Sequence, residues 1–229
     1  MKILAIGAHP DDIEIFMYGF IAACKKRGDE IILGVATDGT AGSIKINKDL
    51  KNIRQGEAIL GLAKLGKPCF LGLEDGNLFE SINALKIIKS FINDNKPDLV
   101  ITHAPNDYHP DHRSLSDFTI NSTGFKYPVI FAETLMGINF DPEIYVDITE
   151  FFEEKKHAIL CHKSQSPEML LEAVKLINRF RSAQCNAPSK NYAEVYKVSK
   201  TFPFADIRNL LPKSPKVRNF YNKDSDGFL

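Results

Sequence analysis

The sequence predicts an α/β protein with a Rossmann-like, open, mostly parallel twisted sheet, helices on both faces of that sheet, and a C-terminal helical extension. Two observations lead to this class. Short runs rich in Val, Ile and Leu are typical of buried parallel strands, and amphipathic stretches of helix length separate them. This alternation is the pattern that right-handed crossovers join into an open sheet with helices on both faces.

The strand-like runs recur along the first 133 residues. The predicted strands are 2–7, 30–36, 68–73, 98–102 and 128–133. Between them, polar or glycine-containing turns bound the predicted helices, which are 12–26, 50–65, 81–95 and 111–121. These intervals give the repeating βα units of the parallel sheet.

The pattern changes after Phe140. The segment "EIYVDIT" is consistent with a strand, whereas "EFFEEKKHAILCH" and "SPEMLLEAVKLINRFRSAQ" predict amphipathic helices. We interpret them as an extension of a single domain that spans 1–215. The polar, turn-rich residues 216–229 are predicted to form a loosely held tail.

Composition excludes several classes of protein. A chain of 229 residues with 44% hydrophobic and 25% charged residues is typical of one globular domain. Lys+Arg and Asp+Glu number 29 each, so bulk charge favours neither nucleic acid nor a membrane surface as a partner. With no signal peptide and no run of about 20 apolar residues, we expect a cytoplasmic protein. Four widely spaced cysteines are expected to be reduced and mostly buried: Cys24, Cys69, Cys161 and Cys185.

Polar side chains follow four of the predicted strands, in "GAHPDD", "TDGTAGS", "GLEDGN" and "THAPNDYHPDH". Ligands of open parallel sheets bind at the carboxyl ends of the strands, so these segments should meet at one edge. Four of the six histidines are in this set. The residues predicted to gather there are His9, Asp11, Asp12, Asp38, Asp75, His103, Asp107, His109, Asp111 and His112.

Two histidine- and aspartate-rich turns, "HPDD" at 9–12 and "HPDH" at 109–112, predict a metal site. Pro10 fixes its own φ and biases His9 toward an extended conformation, so His9 and Asp12 can face a common point. Asp12 could instead only cap the helix that follows. Imidazole and carboxylate are the usual non-thiol zinc ligands, and three protein ligands plus water form a catalytic site. His9, Asp12 and one histidine of the second turn would satisfy that pattern.

The motifs "AHPDDIE", "TDGTAG", "RQGEAILGL", "LEDGNL" and "HPDH", in this order, resemble the LmbE/PIG-L family of zinc-dependent N-acetylglucosaminyl deacetylases. "HKSQ" at 162–165 and "YAEVY" at 192–196 resemble its bacillithiol-pathway members. The resemblance implies a zinc-dependent amidohydrolase whose small-molecule substrate is an N-acetylated amino sugar or a conjugate of one. It also leaves a homo-oligomer open.

The resemblance implies roles for individual residues. It matches His9, Asp12 and His112 to the zinc ligands, although such a set also accepts other divalent ions. It matches Asp11 to the general base, and His109, in its protonated form, to the stabiliser of the oxyanion. Arg54 matches a family arginine near the substrate, but it could equally be a solvated arginine on a helix face. Asp107 and Asp111 could orient histidine rings by hydrogen bonds, or could be only turn or cap residues.

Other residues have simpler interpretations. The pairs Asp38-Gly39 and Asp75-Gly76 are typical of tight turns. His103 is typical of a packed strand residue, and the remaining histidines, His157 and His162, are not expected to be ligands.

One segment departs from the family. Where many members have small residues in patterns such as G-x-G-G-T, this chain has "IFMYGF". Phe16, Tyr18 and Phe20 follow the predicted helix at even spacing, so not all of them can face the core. One or more is expected to narrow the pocket or to form an oligomer contact.

Two alternatives remain open. The first is a nucleotide- or sugar-binding domain without hydrolytic chemistry, but "GAHPDD" lacks the G-x-G-x-x-G fingerprint and its acids would repel a pyrophosphate. The second is metal-dependent hydrolysis of another bond, such as a phosphoester. Two-metal phosphatases usually need more bridging carboxylates than this sequence offers.

Overall fold

The computed structural model describes residues 1–43, 49–201 and 206–216. Its strands, in chain order, are β1 Lys2–Gly7, β2 Glu30–Thr37, β3 Cys69–Leu73, β4 Leu99–His103, β5 Val129–Ala132, β6 Ile144–Asp147 and β7 Ala193–Val198. Its α-helices are α1 Asp12–Phe16, α2 Tyr18–Arg27, α3 Leu50–Gly61, α4 Ala84–Asn95, α5 Pro110–Thr123, α6 Phe152–Leu160 and α7 Pro167–Gln184. The strands form one sheet in the order β3-β2-β1-β4-β5-β7-β6.

The first five strands form the parallel part of the sheet, with β1 at its centre. Ile3 of β1 pairs with Ile31 of β2 on one side and with Leu99 of β4 on the other. The chain therefore leaves β1 toward one edge and later returns to its opposite side. The carboxyl ends of β1 and β4 flank a topological switch point, which is where open α/β sheets bind ligands. The predicted open, mostly parallel sheet is confirmed.

The far edge of the sheet is antiparallel and belongs to the predicted C-terminal extension. β7 pairs with β5, where Phe131 faces Lys197, and with β6, where Tyr145 faces Val195. The two predicted helices are present as α6 and α7, the segment "EIYVDIT" contains β6, and β7 is a further strand. We did not predict β7 because Glu194 and Lys197 interrupt its short apolar run.

Alternate residues of β1 point into two separate cores, as the two-residue period of a strand requires. Ile3 and Ala5 pack in one core with residues of α1, α2, α6 and α7. Leu4 and Ile6 pack in the other with residues of α4 and α5. The sheet thus has helices on both faces, and α1 and α5, which follow its two central strands, begin at the same edge.

The predicted helix 12–26 is two helices. α1 ends at Phe16, and Met17, with φ −133° and ψ −6°, breaks the helix before α2 begins. The break changes the direction of the chain, so Tyr18 and Phe20 are both buried while Phe16 is only half-buried. The expectation that these aromatic residues could not all face the core assumed one continuous helix. The expectation itself is correct: Tyr18 and Phe20 are in the core, and Phe16 is the residue that is not fully buried there.

A remote carboxylate holds the start of α2. Glu194 of β7 accepts the backbone N–H groups of Gly19 and Phe20 at 2.9 and 2.8 Å, which helix ends otherwise leave unpaired. Gly19 has no room for a side chain, because a Cβ there would lie 2.3 Å from Cγ2 of Ile148. Contacts from the C-terminal half therefore stabilise the break between α1 and α2.

All four cysteines are free thiols, but the prediction that most are buried is wrong. Only Cys24 is buried; Cys69 is exposed at the start of edge strand β3, and Cys161 and Cys185 are half-buried just beyond helix ends.

None of the described helices is both long enough and apolar enough to cross a membrane. The predicted tail, 216–229, lies outside the described residues from 217 onward.

Candidate active site

The segment between β1 and α1 places His9 and Asp12 side by side. The backbone N–H of His9 donates to Oδ2 of Asp12 at 2.6 Å, so the chain turns back on itself over three residues. Gly7 permits this turn, because a Cβ on it would lie 2.8 Å from Cβ of Asp12. The N-cap residue of α1 is Asp11, which makes no side-chain capping hydrogen bond, and Asp12 is the first residue of the helix. The structure therefore turns Asp12 toward the histidines and gives it no part in capping the helix.

The second turn brings His109 and His112 to the same place. His109 is the N-cap residue of α5, and Pro110 occupies the first helical position, where its missing N–H costs nothing. Nδ1 of His109 accepts the N–H of Asp111 at 3.2 Å. His112 follows within the first turn of α5 and points toward β1.

Three of the side chains predicted to bind metal converge on a small space. Nδ1 of His9 lies 3.3 Å from Nε2 of His112 and 3.3 Å from Oδ2 of Asp12. Nε2 of His112 lies 3.3 Å from Oδ1 of Asp12. Ligands held 2.0–2.1 Å from a tetrahedral zinc ion lie about 3.3 Å from one another. The spacing of His9, Asp12 and His112 therefore fits a tetrahedral divalent ion.

The described residues contain further combinations that could hold a metal ion. Three overlapping groups bring one ligand atom from each member within 4.8 Å of the others: His9, His109 and His112; Asp12, His103 and His112; and His9, Asp75 and Asp111. The predicted ligands are drawn from the first two of these groups. The structure therefore brings together side chains that could hold a metal ion.

Electrostatics favour a cation at this position. Burial opposes charge on Asp12, but the positive charges of His112, His103 and His9 outweigh it and hold the pKa of Asp12 well below its usual range. Burial lowers the pKa of His112, but the charge of Asp12 and the hydrogen bond that His112 donates to Asp107 raise that pKa to about 9. The pKa of His9 is raised well above its usual value because Asp12, Asp111 and Asp75 outweigh its burial. The acids that attract these protons would equally attract a divalent cation.

Asp107 and Asp111 contact the rings that we expected them to orient. Oδ2 of Asp107 lies 3.1 Å from Nδ1 of His112, and Oδ2 of Asp111 lies 3.4 Å from Nε2 of His9. Both acids are also fixed in place: Asp107 accepts the backbone N–H of His109, and Asp111 accepts those of Gly76 and Leu78. In each histidine, the nitrogen that faces Asp107 or Asp111 is not the nitrogen that faces Asp12.

Two residues to which we assigned simpler roles belong to this cluster. Nε2 of His103 lies 3.0 Å from Oδ2 of Asp12, and its ring stacks on that of His112 at 3.7 Å between centroids. Asp75 is buried, with Oδ1 3.1 Å from Nε2 of His9, although Gly76 beside it, at φ 82°, also forms the predicted turn. Their positions at strand ends were the signal in the sequence, but residue type alone did not distinguish them from packing and turn residues.

Asp11 and Arg54 lie beside the cluster, at the entrance to it. Nη2 of Arg54 donates to Oδ2 of Asp11 at 3.2 Å, and its Nη1 lies 3.8 Å from Oδ2 of Asp75 and donates to the carbonyl of Gly39. Arg54 is only 3% exposed, so the interpretation as a solvated arginine on a helix surface is wrong. Gly42 packs against this guanidinium, since a Cβ there would lie 2.2 Å from Nη1.

The structure favours a neutral His109, whereas the family resemblance implied a protonated one. Its ring lies 4.6 Å from that of His9 and 4.7 Å from that of His112, centroid to centroid. Burial, together with the positive charges of those two histidines, lowers the pKa of His109 and favours the neutral ring. Because Nδ1 accepts a backbone N–H, the neutral ring carries its proton on Nε2, where it is a donor.

These side chains line an open cleft of about 310 Å³. The polar residues of its lining include Asp11, Arg54, Asp75 and Gln165, and the apolar ones include Ile15, Phe16, Leu135 and Leu170. Gln165 is carried by a turn that Glu57 holds, because Ser164 donates its N–H and its hydroxyl to that carboxylate at 2.8 and 2.6 Å.

The remaining sequence candidates lie apart from the cluster. His162 is buried in a pair with Glu14, whose Oε1 lies 2.8 Å from Nε2 of His162, and His157 contacts the carbonyl of Glu153 within α6. Asp38 accepts the N–H and hydroxyl of Thr40, as in a tight turn.

The fold and the cleft define a class of protein. An open α/β sheet with a buried histidine and carboxylate cluster at its switch point, facing a cleft, is an arrangement suited to metal-assisted hydrolysis. The family model described as "PIG-L: GlcNAc-PI de-N-acetylase" matches residues 4–123, which is more than half of the chain. The chain belongs to this family, as the sequence motifs predicted.

Individual relatives agree with this assignment. The chain is 28% identical over 189 residues to the "Probable N-acetyl-alpha-D-glucosaminyl L-malate deacetylase 2" of Bacillus subtilis, covering 74% of this chain and 86% of that protein. The solved N,N'-diacetylchitobiose deacetylase of Pyrococcus horikoshii superimposes with a TM-score of 0.77 and 26% identity, covering 90% of this chain and 88% of that one.

The fold alone does not decide the chemistry. GalB, a 4-carboxy-2-hydroxymuconate hydratase from Pseudomonas putida, superimposes with the same TM-score of 0.77 at 21% identity, covering 90% of this chain and 98% of that one. At that identity the likeness shows only a shared fold. The function must be argued from the cluster and from the cleft.

Proposed function

We propose that this protein is a zinc-dependent deacetylase that hydrolyses the N-acetyl group of an amino sugar or of an amino-sugar conjugate. One observation carries the proposal: Nδ1 of His9 and Nε2 of His112 lie 3.3 Å from each other, each also lies 3.3 Å from an oxygen of Asp12, and these residues line an open cleft together with Asp11. Membership of the PIG-L family supports it. So do the relatives, whose names describe deacetylases of an N-acetyl-glucosaminyl malate and of diacetylchitobiose.

We assign His9, Asp12 and His112 as the metal ligands. Both histidines present to the site the ring nitrogen that is not held by Asp111 or Asp107, as expected of imidazole ligands oriented by carboxylates. A bound zinc ion lowers the pKa of a coordinated water toward 7 and polarises a carbonyl oxygen. His103, stacked behind His112, supports the ring of that ligand and the carboxylate of Asp12.

We assign Asp11 as the general base. Its carboxylate lies in the cleft, and Arg54 fixes one of its oxygens by a hydrogen bond of 3.2 Å. The carboxylate would accept a proton from the water as that water attacks the amide carbon, and would then give the proton to the departing amine. Proton transfer by a positioned side chain typically contributes 10²–10⁴-fold to rate.

We assign His109 as the donor to the oxyanion. In its neutral form the Nε2–H is available to the negative oxygen of the tetrahedral state, because Nδ1 is already engaged. A neutral donor needs no protonation step before catalysis. Loss of one such donor typically costs about 2.7–4 kcal/mol of transition-state stabilisation.

The polar residues of the cleft lining support a sugar as substrate. Arg54 and Asp75 present a guanidinium fork and a carboxylate, which suit hydroxyl groups or an anionic substituent. A cytoplasmic location and assembly into a homo-oligomer stay predictions.

The proposed function is tested by amine release from a panel of N-acetylated amino sugars, using protein reconstituted with zinc. We expect turnover of at least one member, loss of turnover with EDTA, recovery on adding zinc, and no turnover by Asp11→Ala. Absence of amine release across the panel from protein that carries one zinc per chain would contradict the substrate class. Sugar binding that persists after chelation, without turnover, would favour the non-hydrolytic alternative.

A further inference from the structure

Phe16 lines the cleft and also a second cavity. A small cavity of about 20 Å³, with room for roughly one water molecule, adjoins the cleft. Three side chains line both spaces, namely Ile15, Phe16 and Leu135. The residues that line only the second cavity are partly apolar and partly polar: Val174, Ile177 and Val195, and Glu133, Thr134, Asn178 and Glu194. Phe16 therefore borders both the cleft and a second space whose lining is partly apolar.

The Phe16 ring is held in place. It packs edge-on against His103 and His112, with centroids 5.7 and 5.9 Å apart. Its carbonyl accepts the hydroxyl of Tyr196 at 3.3 Å, and Met17 breaks the helix directly after it. The ring therefore stands next to two members of the proposed metal site and has little freedom to move aside.

An N-acyl sugar has two chemically different parts, and the cleft lining offers contacts suited to each. Sugar hydroxyls need hydrogen-bond partners, which Arg54 and Asp75 of the lining supply. The alkyl part of the acyl group makes no hydrogen bonds and gains by contact with apolar surface. The apolar residues of the cleft lining offer that surface, and among them Phe16 has its ring 5.9 Å from that of His112, centroid to centroid.

We propose that Phe16 is a specificity-determining residue that forms the end wall of the acyl pocket and limits the enzyme to short N-acyl groups such as acetyl. The proposal rests on the proposed function, because it concerns the acyl group of the same substrate. Removing the phenyl ring opens the cleft to the space behind it. A longer acyl chain then extends between Ile15 and Leu135.

The first experiment measures kcat/KM of wild type, Phe16→Leu and Phe16→Ala with N-acetyl-, N-propionyl- and N-butyrylglucosamine. We expect the butyryl-to-acetyl ratio to rise at least tenfold in Phe16→Ala, since each methylene buried is worth several-fold in binding, with Phe16→Leu intermediate. Leu170→Ala is the matched control, because Leu170 lines the cleft but not the second cavity. Its ratio should stay within about twofold of wild type.

A second experiment measures binding without turnover, so that failure of this proposal is distinguishable from failure of the proposed function. Acetohydroxamate and butyrohydroxamate are titrated into zinc-loaded protein by calorimetry. We expect wild type to favour acetohydroxamate and Phe16→Ala or Phe16→Leu to shift the preference toward butyrohydroxamate. Equal preferences in wild type and a folded, zinc-loaded variant would overturn the proposal, even if wild type deacetylates its substrate. The predicted shift in a protein inactive on every sugar would support the acyl pocket and contradict only the sugar.

Discussion

Two groups of buried charged side chains can be compared within this molecule, one around Asp12 and one around Glu194. Glu194 accepts four donors: the N–H groups of Gly19 and Phe20, the ammonium of Lys155 and the hydroxyl of Tyr196. The Lys155 ammonium also donates to Asn178 at 3.1 Å. Buried charges are tolerated when paired and hydrogen-bonded in this way. This network ties β7 and α6 to the start of α2.

Asp12 has a different environment. One carboxylate faces His9, His103 and His112, and two of these rings direct nitrogens toward each other at 3.3 Å. These closely spaced nitrogen and oxygen atoms form a set of ligands that a cation could bind. The group also opens onto a cleft, whereas Lys155 is fully buried. The comparison indicates that the Glu194 network stabilises the fold and the Asp12 cluster is arranged to bind an ion.

The largest expected effect is that of His112→Ala. It removes one of three proposed ligands, so we expect the bound zinc to fall well below one per chain and amine release to fall by at least about 10³-fold. Metal content after dialysis and initial rates measure both. The variant should remain folded by circular dichroism, and a variant that retains tight zinc would remove His112 from the ligand set.

Glu194→Ala should lower the stability of the fold and leave zinc binding unchanged. It leaves Lys155 buried without its carboxylate partner, which typically costs about 3–5 kcal/mol of unfolding free energy, measured by urea denaturation. The folded fraction should still bind one zinc per chain. Glu153→Ala is the control, because its pair with Lys156 is exposed and contributes little. Equal destabilisation by the two variants would contradict the structural role of Glu194.

Asp107→Asn should have a smaller effect, confined to the metal site. Asp107 accepts from Nδ1 of His112, and carboxylates that orient a ligating histidine typically affect metal affinity by 10–100-fold. We expect weaker zinc binding in a competition titration with a chelator, while saturating zinc restores most of the turnover. Unchanged zinc affinity would show that Asp107 is only a residue of the turn before α5.

The sequence predicted the parts of this comparison that depend on local rules. The carboxyl ends of the parallel strands lie at one edge, so His9, Asp12 and His112 could be placed together from their positions alone. Arg54, His103 and Asp75 could not be placed so precisely, because exposed and buried forms of these residue types have the same local sequence signals. Their burial depends on which neighbours the fold brings to them.

The missed features depend on contacts distant in sequence. The break at Met17 is stabilised by Glu194, which lies 175 residues from Gly19 along the chain. Strand β7 carries that charged residue, so its hydrophobic pattern is weak. A periodicity argument applied to one segment at a time cannot detect such an interaction. The same break directs Phe16 toward the cleft and Tyr18 and Phe20 into the core.

The central claim is that the adjacent acids Asp11 and Asp12 have different roles, base and ligand. It is tested most directly by measuring zinc content and amine release for Asp11→Asn and Asp12→Asn side by side. We expect Asp11→Asn to hold one zinc per chain with turnover reduced about 10²–10⁴-fold, and Asp12→Asn to lose tight zinc binding. Equal zinc content and equal residual turnover in the two variants would contradict the account.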